Sequence, residues 1–195
     1  MAKLQWKPGT LLPPAPPALV TCGDMEKHNV LTAAWTGIVN SEPPMTYVSI
    51  RPERYSHGII TERREFVINI PCQSIVRATD LCGVKSGRDV DKFALTGLTA
   101  EPSQLVAAPG IAQCPVSLEC RVREICRLGS HDMFLADIVA VDVDEQFLDE
   151  KGALHLEKAG LVAYAHGAYY ALGRQLGTFG FSVRKKPVRR NTKRK

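Results

Sequence analysis

From Pro115 onward the residues separate by parity: Val116, Leu118, Cys120 and Val122 fall on one side, Ser117, Glu119, Arg121 and Arg123 on the other. Successive side chains of a strand point to opposite faces, so this pattern predicts a sheet strand with one side wet. MFLADIVAVDV at 133–143 continues in the same style after a turn at Gly129 and Ser130. ALVTC at 18–22, closed by Gly23 and Asp24, reads as another strand, and TYVSI at 46–50 and FVINI at 66–70 are clearer ones. NVLTAAWTGIV at 29–39 is apolar and β-branched at both ends, although its alanines weaken the strand pattern. Short helices are expected over 56–64 and over 73–81. Extended segments outnumber helices and the crossover helices of a doubly wound fold are missing, which favours a mainly β, antiparallel barrel.

A chain of 195 residues and 21.4 kDa suits one domain, burying roughly 70% of the surface its unfolded form exposes. PGTLLPPAPP at 8–17 can form neither a helix nor a central strand. Residues 1–17 are therefore expected to be an extended arm lying on the body, which runs from 18 to 183. The last stretch, 184–195, holds eight basic residues and no acidic one. It has the composition of a disordered basic arm, able to touch nucleic acid or an acidic partner or to act only as a solubilising end. Without it the formal charge of +5 becomes 17 basic against 20 acidic residues, or −3. The body lacks the interleaved aromatic and basic residues that stack bases, so nucleic acid is not its expected ligand. No run approaches 18 uncharged apolar residues and no apolar stretch follows a basic start, which indicates neither a membrane span nor a signal peptide and makes the cytoplasm the default location.

Several chemistries lack their signatures. There is no GxGxxG after a strand, no GxxxxGK[ST], and no nucleophile elbow. The histidines at 28, 57, 131, 155 and 166 are not paired at metal-ligand intervals, and the six cysteines show no CxxC. Cys120 and Cys126 share one phase of the alternating strand and read as buried small residues, while Cys72 and Cys82 flank a helix and are expected to be partly exposed.

The block from Val30 to Glu65 carries more. Ser56 could cap the helix it begins, leaving amide protons aimed at an anion, with Arg51 and Arg54 just before it. A capped surface helix with solvated arginines is the plain alternative. Lys92, in SGRDVDKFALTG, can approach the same anion or pair with Asp89 or Asp91. The C-terminal part scatters Gly160, Gly167, Gly173, Gly177 and Gly180 among Tyr164, Tyr169, Tyr170 and Phe179. It reads as irregular chain packed over a pocket or a subunit seam, or as simple surface closure.

The stretches NVLTAAWTGIVNSEPPMTYVSIRPERYSHGIITERREFVINIP, CGVKSGRDVDKFALTGL and GSHDMFLADIVAV, in this order, resemble the flavin reductase-like, FMN-binding split-barrel proteins, in particular the flavoredoxin subgroup. The resemblance reaches from about residue 15 to 180. It implies a six-stranded Greek-key split barrel with flanking helices, a homodimer, and FMN near the subunit interface. Carried onto this chain, it sets the flavin ring against Thr32, Ala33, Ala34 and Trp35, with Asn40 and Ser41 at the following turn. The phosphate and ribityl side would fall near Ser49, Ile50, Arg51, Ser56 and His57, with Lys92 adding charge. His131 matches a histidine close to the flavin or nicotinamide, or is a hydrogen-bonded turn residue. The implied activity is transfer of a hydride from NAD(P)H to FMN and of electrons onward to a flavin, a ferric complex or a protein. The alternative is an FMN electron carrier, fed by a reduced donor protein, with little nicotinamide turnover.

Overall fold

A computed structural model describes residues 1–184. Seven antiparallel strands make the main sheet: β1 (Ala18–Gly23), β2 (His28–Ala33), β3 (Thr36–Ser41), β4 (Pro44–Ile50), β5 (Glu65–Ile70) and, after two short strands, β8 (Val116–Arg127) and β9 (Asp132–Val143). Their order is β2-β1-β5-β8-β9-β4-β3. Thus β2 and β3 are the two edges, yet only Ala34 and Trp35 separate them in the chain. In a flat sheet those edges would lie six strand spacings apart, about 29 Å, whereas the link reaches at most about 11 Å. The sheet must therefore curl until its edges meet, which gives a barrel with a split between them. Trp35 is pinned to the far side by its carbonyl, which accepts the Ser49 amide at 2.8 Å.

The apolar stretch 29–39 is therefore two strands, and the sheet has seven rather than six. The break is what the weak alanines mark. Helix α1 (Tyr55–Arg63) connects β4 to β5 and drives Ile60 into the barrel core. That core takes Val20, Leu31, Val48, Phe66, Cys120 and Phe134, one phase of six of the seven strands, β3 contributing none. The opposite phase of β1 and β2 is buried too, because a second layer lies on it. Leu19 and Val30 pack there with Cys82, Phe93 and Ile111. Cys82 belongs to α2 (Val76–Val84), which continues a 3-10 turn at Gln73–Ile75, and Phe93 to α3 (Lys92–Thr96). Ile111 lies in β7 (Gly110–Ile111), the partner of β6 (Ala100–Glu101).

Burial on both faces corrects the reading of β8 as wet on one side. Ser117 and Glu119 are buried; only from Arg121 does the polar phase reach water. The segment between β6 and β7 folds over them, and the Glu119 carboxylate accepts the amides of Gln104, Leu105 and Val106 at 2.7, 2.7 and 3.1 Å. Two register shifts, at Glu119/Cys120 and Val122/Glu124, then break the phase. Hence Cys120 is fully buried but Cys126 only half-buried. Cys82 is buried as well, against the expected partial exposure, while Cys72 is half-buried.

The C-terminal part is more regular than its composition suggests. β10 (Val162–Ala165) and β11 (Ala168–Ala171) form a hairpin whose two-residue turn, His166 and Gly167, has φ of +49° and +86°. Both turn residues at positive φ match the twist of a tight hairpin. The N-terminal arm docks on this hairpin: Ala15 and Tyr164 exchange backbone hydrogen bonds at 2.9 Å in each direction. The basic tail, beyond Arg184, lies outside the described residues. Among those described, no helix is long and apolar enough to cross a membrane.

Candidate functional site

The split of the barrel opens into two adjoining cavities that share Leu31, Thr32, Arg51, Arg54 and Gly83. The first, about 530 Å³, is walled by Thr32, Ala33, Ala34 and Trp35 on the link between β2 and β3, by Ser49, Ile50 and Arg51 at the end of β4, and by Asp80, Gly83 and Val84 of α2. His131, before β9, and Tyr164, Gly167 and Tyr169 of the C-terminal hairpin complete it. Tyr164 and Tyr169 are opposed across the hairpin, their rings 5.3 Å apart at 61°. Burial, then the neighbouring Asp80 carboxylate, push the Tyr169 phenol up to about 12. It stays protonated at neutral pH, with its hydroxyl beside the Asp80 carboxylate. His131 sits with Nδ1 3.0 Å from the Ser130 hydroxyl.

The second cavity, about 470 Å³, is cationic. Arg51, Arg54, Lys85, Arg88 and Lys92 line it against one carboxylate, Glu53. The arginines are held by local contacts: Arg51 lies 3.6 Å from Glu53, Arg54 donates to the Gly83 carbonyl at 3.2 Å, and Arg88 donates to the Glu53 carbonyl at 2.9 Å while covering the Tyr55 ring. Lys92 differs from them. It is 4% exposed, and its ammonium donates to the carbonyls of Val30 at 2.7 Å and Cys82 at 2.8 Å. Burial pulls its pKa below the ordinary lysine value, with the Arg54 cation adding to the effect. Its thiol neighbours, Cys22 and Cys82, are each pushed up to about 11 by burial, so they stay neutral and do not balance the charge. A lysine carries three donors, and among the described residues two are engaged with protein oxygens. The expected alternative, an ion pair with Asp89 or Asp91, is not formed, and Asp91 instead caps α3 by accepting the Ala94 amide at 3.1 Å.

Ser56 lines this cavity but not as a cap. It lies inside the first turn, 1% exposed, with its hydroxyl accepting Asn29 Nδ2 at 2.6 Å. The cap position belongs to Arg54, whose side chain leaves the helix amides alone. An uncapped helix start, with Tyr55 and Ser56 facing the cavity, keeps the positive end of the helix dipole available to an anion.

The structure thus gathers Thr32, Ala33, Ala34, Trp35, Ser49, Ile50, Arg51, Ser56, Lys92 and His131 along one groove. It does not bring Asn40, Ser41 or His57 there. Asn40 and Ser41 are exposed at the far end of the hairpin between β3 and β4, where Asn40 donates to the Pro43 carbonyl. His57 is turned by the helix away from the groove to Asp132, Nε2 to Oδ2 at 2.9 Å, and rests against Phe134. Sequence reasoning missed Asn29, Asp80, Gly83 and Gly87. The glycines were the available signal. A Cβ on Gly83 would lie 3.3 Å from Thr32, and one on Gly87 would meet Asn29 Oδ1 at 2.0 Å and the Tyr55 ring at 2.9 Å. Both mark places where the second layer presses against the groove.

Comparison with known proteins agrees with this fold. The flavoredoxin of Desulfovibrio vulgaris (Miyazaki F) is 35% identical, superposes with a TM-score of 0.86, and is matched over 94% of this chain and 100% of its own. A flavoredoxin from Methanosarcina acetivorans is 28% identical with a TM-score of 0.85 over the same shares. An FMN-binding protein from Thermus thermophilus is 26% identical with a TM-score of 0.75, over 90% of this chain and 99% of its own. Residues 12–173 match the flavin reductase like domain, and the chain belongs to that family.

Proposed function

We propose that the groove binds FMN and that the protein is a flavoredoxin-type electron carrier. The observation that carries this reading is the pairing of the two cavities: an aromatic one with short side chains, continuous with one that sets five cations against a single carboxylate. A mononucleotide has the same two ends, a flat ring system and a phosphate. The buried Lys92 ammonium supports the phosphate assignment, because it has a donor left over and no carboxylate partner among the described residues. Arg51 and Arg54 would hold further phosphate oxygens, as planar forks suited to paired hydrogen bonds. The backbone of Ala33 and Ala34 would lie beside the ring, where no bulky side chain holds it off. Tyr164 and Tyr169 would offer flat apolar surface at the ring end. FMN, when bound, supplies the electron transfer itself; the chain binds it, orients it and leaves part of it open.

The likeness to flavoredoxins supports the carrier reading ahead of steady NAD(P)H oxidation. The second reading, hydride transfer from NAD(P)H with a flavin, ferric complex or protein as acceptor, is favoured by one observation: His131 stands in the wall of the aromatic cavity, where a nicotinamide would approach. We also infer a homodimer. The test is an absorption spectrum of protein loaded with FMN, before and after anaerobic addition of NADH or NADPH. Bound flavin with little bleaching is the carrier result, and rapid bleaching followed by steady turnover in air would replace it with the reductase reading. A colourless preparation that takes up no added FMN would overturn both.

A further inference from the structure

A third cavity, about 290 Å³, lies beside the aromatic one, between the N-terminal arm and the C-terminal hairpin. Leu11, Leu12 and Pro13 of the arm form one side, and Trp35, Tyr164 and His166 the other. It shares Trp35, Tyr164 and Gly167 with the main groove, so the two spaces are continuous. Its chemistry differs sharply from that of its neighbour. Among the described residues, no lysine, arginine, aspartate or glutamate lines it. Leu11 and Leu12 remain 57% and 86% exposed although the arm is tied down three residues after Leu12 by the paired bonds of Ala15 and Tyr164. The arm is therefore held so that two leucines face open space next to two aromatic rings.

We infer that this cavity is a binding site for a small, uncharged, planar molecule, seated against Trp35 and Tyr164 with one edge toward the main groove. Three features select that class. The flat faces of an indole and a phenol favour a ring over a flexible chain. With no lysine or arginine in its wall and His166 as its one possible cation, the cavity disfavours a nucleotide or a carboxylate, most of whose charge would lose water without a partner. The volume is at the low end of small-molecule sites, roughly 300–1,000 Å³, and suits one or two rings. The occupant would touch the rim of the groove without entering the cationic end. Its position as a neighbour of a flavin rests on the function proposed above, whereas binding at the cavity does not.

The experiment is a fluorine NMR titration of the full chain with 4-fluoroanisole, in the absence and presence of FMN, beside the double variant Leu11→Ser, Leu12→Ser. Both leucines are exposed and lie outside the groove, so the variant is expected to fold and to keep its FMN affinity. The native chain should shift and broaden the probe signal saturably, and the variant should bind it about tenfold more weakly or worse, the equivalent of about 1.4 kcal/mol. Equal binding by native and variant chains, or none by the native chain, would overturn the proposal. So would a native dimer that ignores the probe while the variant is monomeric, since a second copy would then be the occupant. Probe binding without FMN uptake would leave this site standing and remove the flavin reading, and FMN uptake without probe binding would do the reverse.

Discussion

Lys92 is the residue on which the anion assignment turns. Replacing it with methionine removes a buried charge, which is favourable, and leaves the Val30 and Cys82 carbonyls without their donor, which is not. These effects oppose one another, so Lys92→Met is expected to change stability by no more than about 1–2 kcal/mol. Phosphate binding has no such compensation. Loss of a charged hydrogen bond costs about 1.5–3 kcal/mol, so FMN affinity should fall roughly 10- to 100-fold, while Arg184→Ala, at the end of the described chain, leaves it unchanged. A flavin fluorescence titration on the three proteins checks this, and equal affinities would remove Lys92 from the site. Sequence reasoning found Lys92 by its neighbours and by family resemblance. It could not show the burial that gives the residue its force, because that depends on α2 and α3 closing over β2. Ser56 was found for a reason that failed: a serine at a helix start reads as a cap, yet the turn began one residue earlier and Asn29 claimed its hydroxyl.

At the scale of elements, what could be read followed from how local the signal was. The strands β1, β4 and β5 show in their own composition, and the helices α1 and α2 in their lengths. Two things did not show. The break at Ala34 and Trp35 is local but subtle, and it converts one strand into the two edges that define the split. The burial of Ser117 and Glu119 is not local at all, since it is imposed by the loop between β6 and β7 that lands on them. Asp142 feels the same covering. Burial, then the Glu119 carboxylate, hold its pKa above the ordinary value of 3.8. An acid whose folded pKa is raised favours the folded state fully below its unfolded pKa, and that contribution is lost as pH rises through the folded value. Asp142→Asn removes the charge but keeps an acceptor for Gln104 Nε2, which now donates at 2.8 Å. The variant is therefore expected to melt higher than the native chain at pH 7 and to lose that advantage below about pH 4, near the ordinary aspartate value. Thermal melts across that range check the sign, and a lower melting temperature at pH 7 would show that the two carboxylates do not repel.

For the whole molecule, curling the sheet satisfies the interior and leaves an unmatched exterior. Edge strand β3 pairs with β4 on one side only, and it exposes Ile38 and Val39 to 66% and 49%. A strand edge with free amides and apolar side chains invites another chain. The C-terminal stretch adds Leu176, Phe179 and Phe181, all strongly exposed. So much apolar surface on a chain of this size is expected to be shared with a second copy, since a symmetric dimer buries the same patch twice. Light scattering at micromolar concentration should report twice the 21.4 kDa of the chain. The double substitution Ile38→Asp, Val39→Asp should halve that mass without disturbing the barrel, because both side chains are exposed and neither belongs to the barrel core. The native chain running as a monomer would count against the dimer, and an unchanged dimer in the variant would move the interface elsewhere, to the C-terminal aromatics. FMN affinity measured on the same two samples then separates two possibilities that the isolated chain leaves together. If the monomeric variant binds FMN as tightly as the dimer, the groove described here is complete within one chain; if it binds more weakly, the second copy finishes the site.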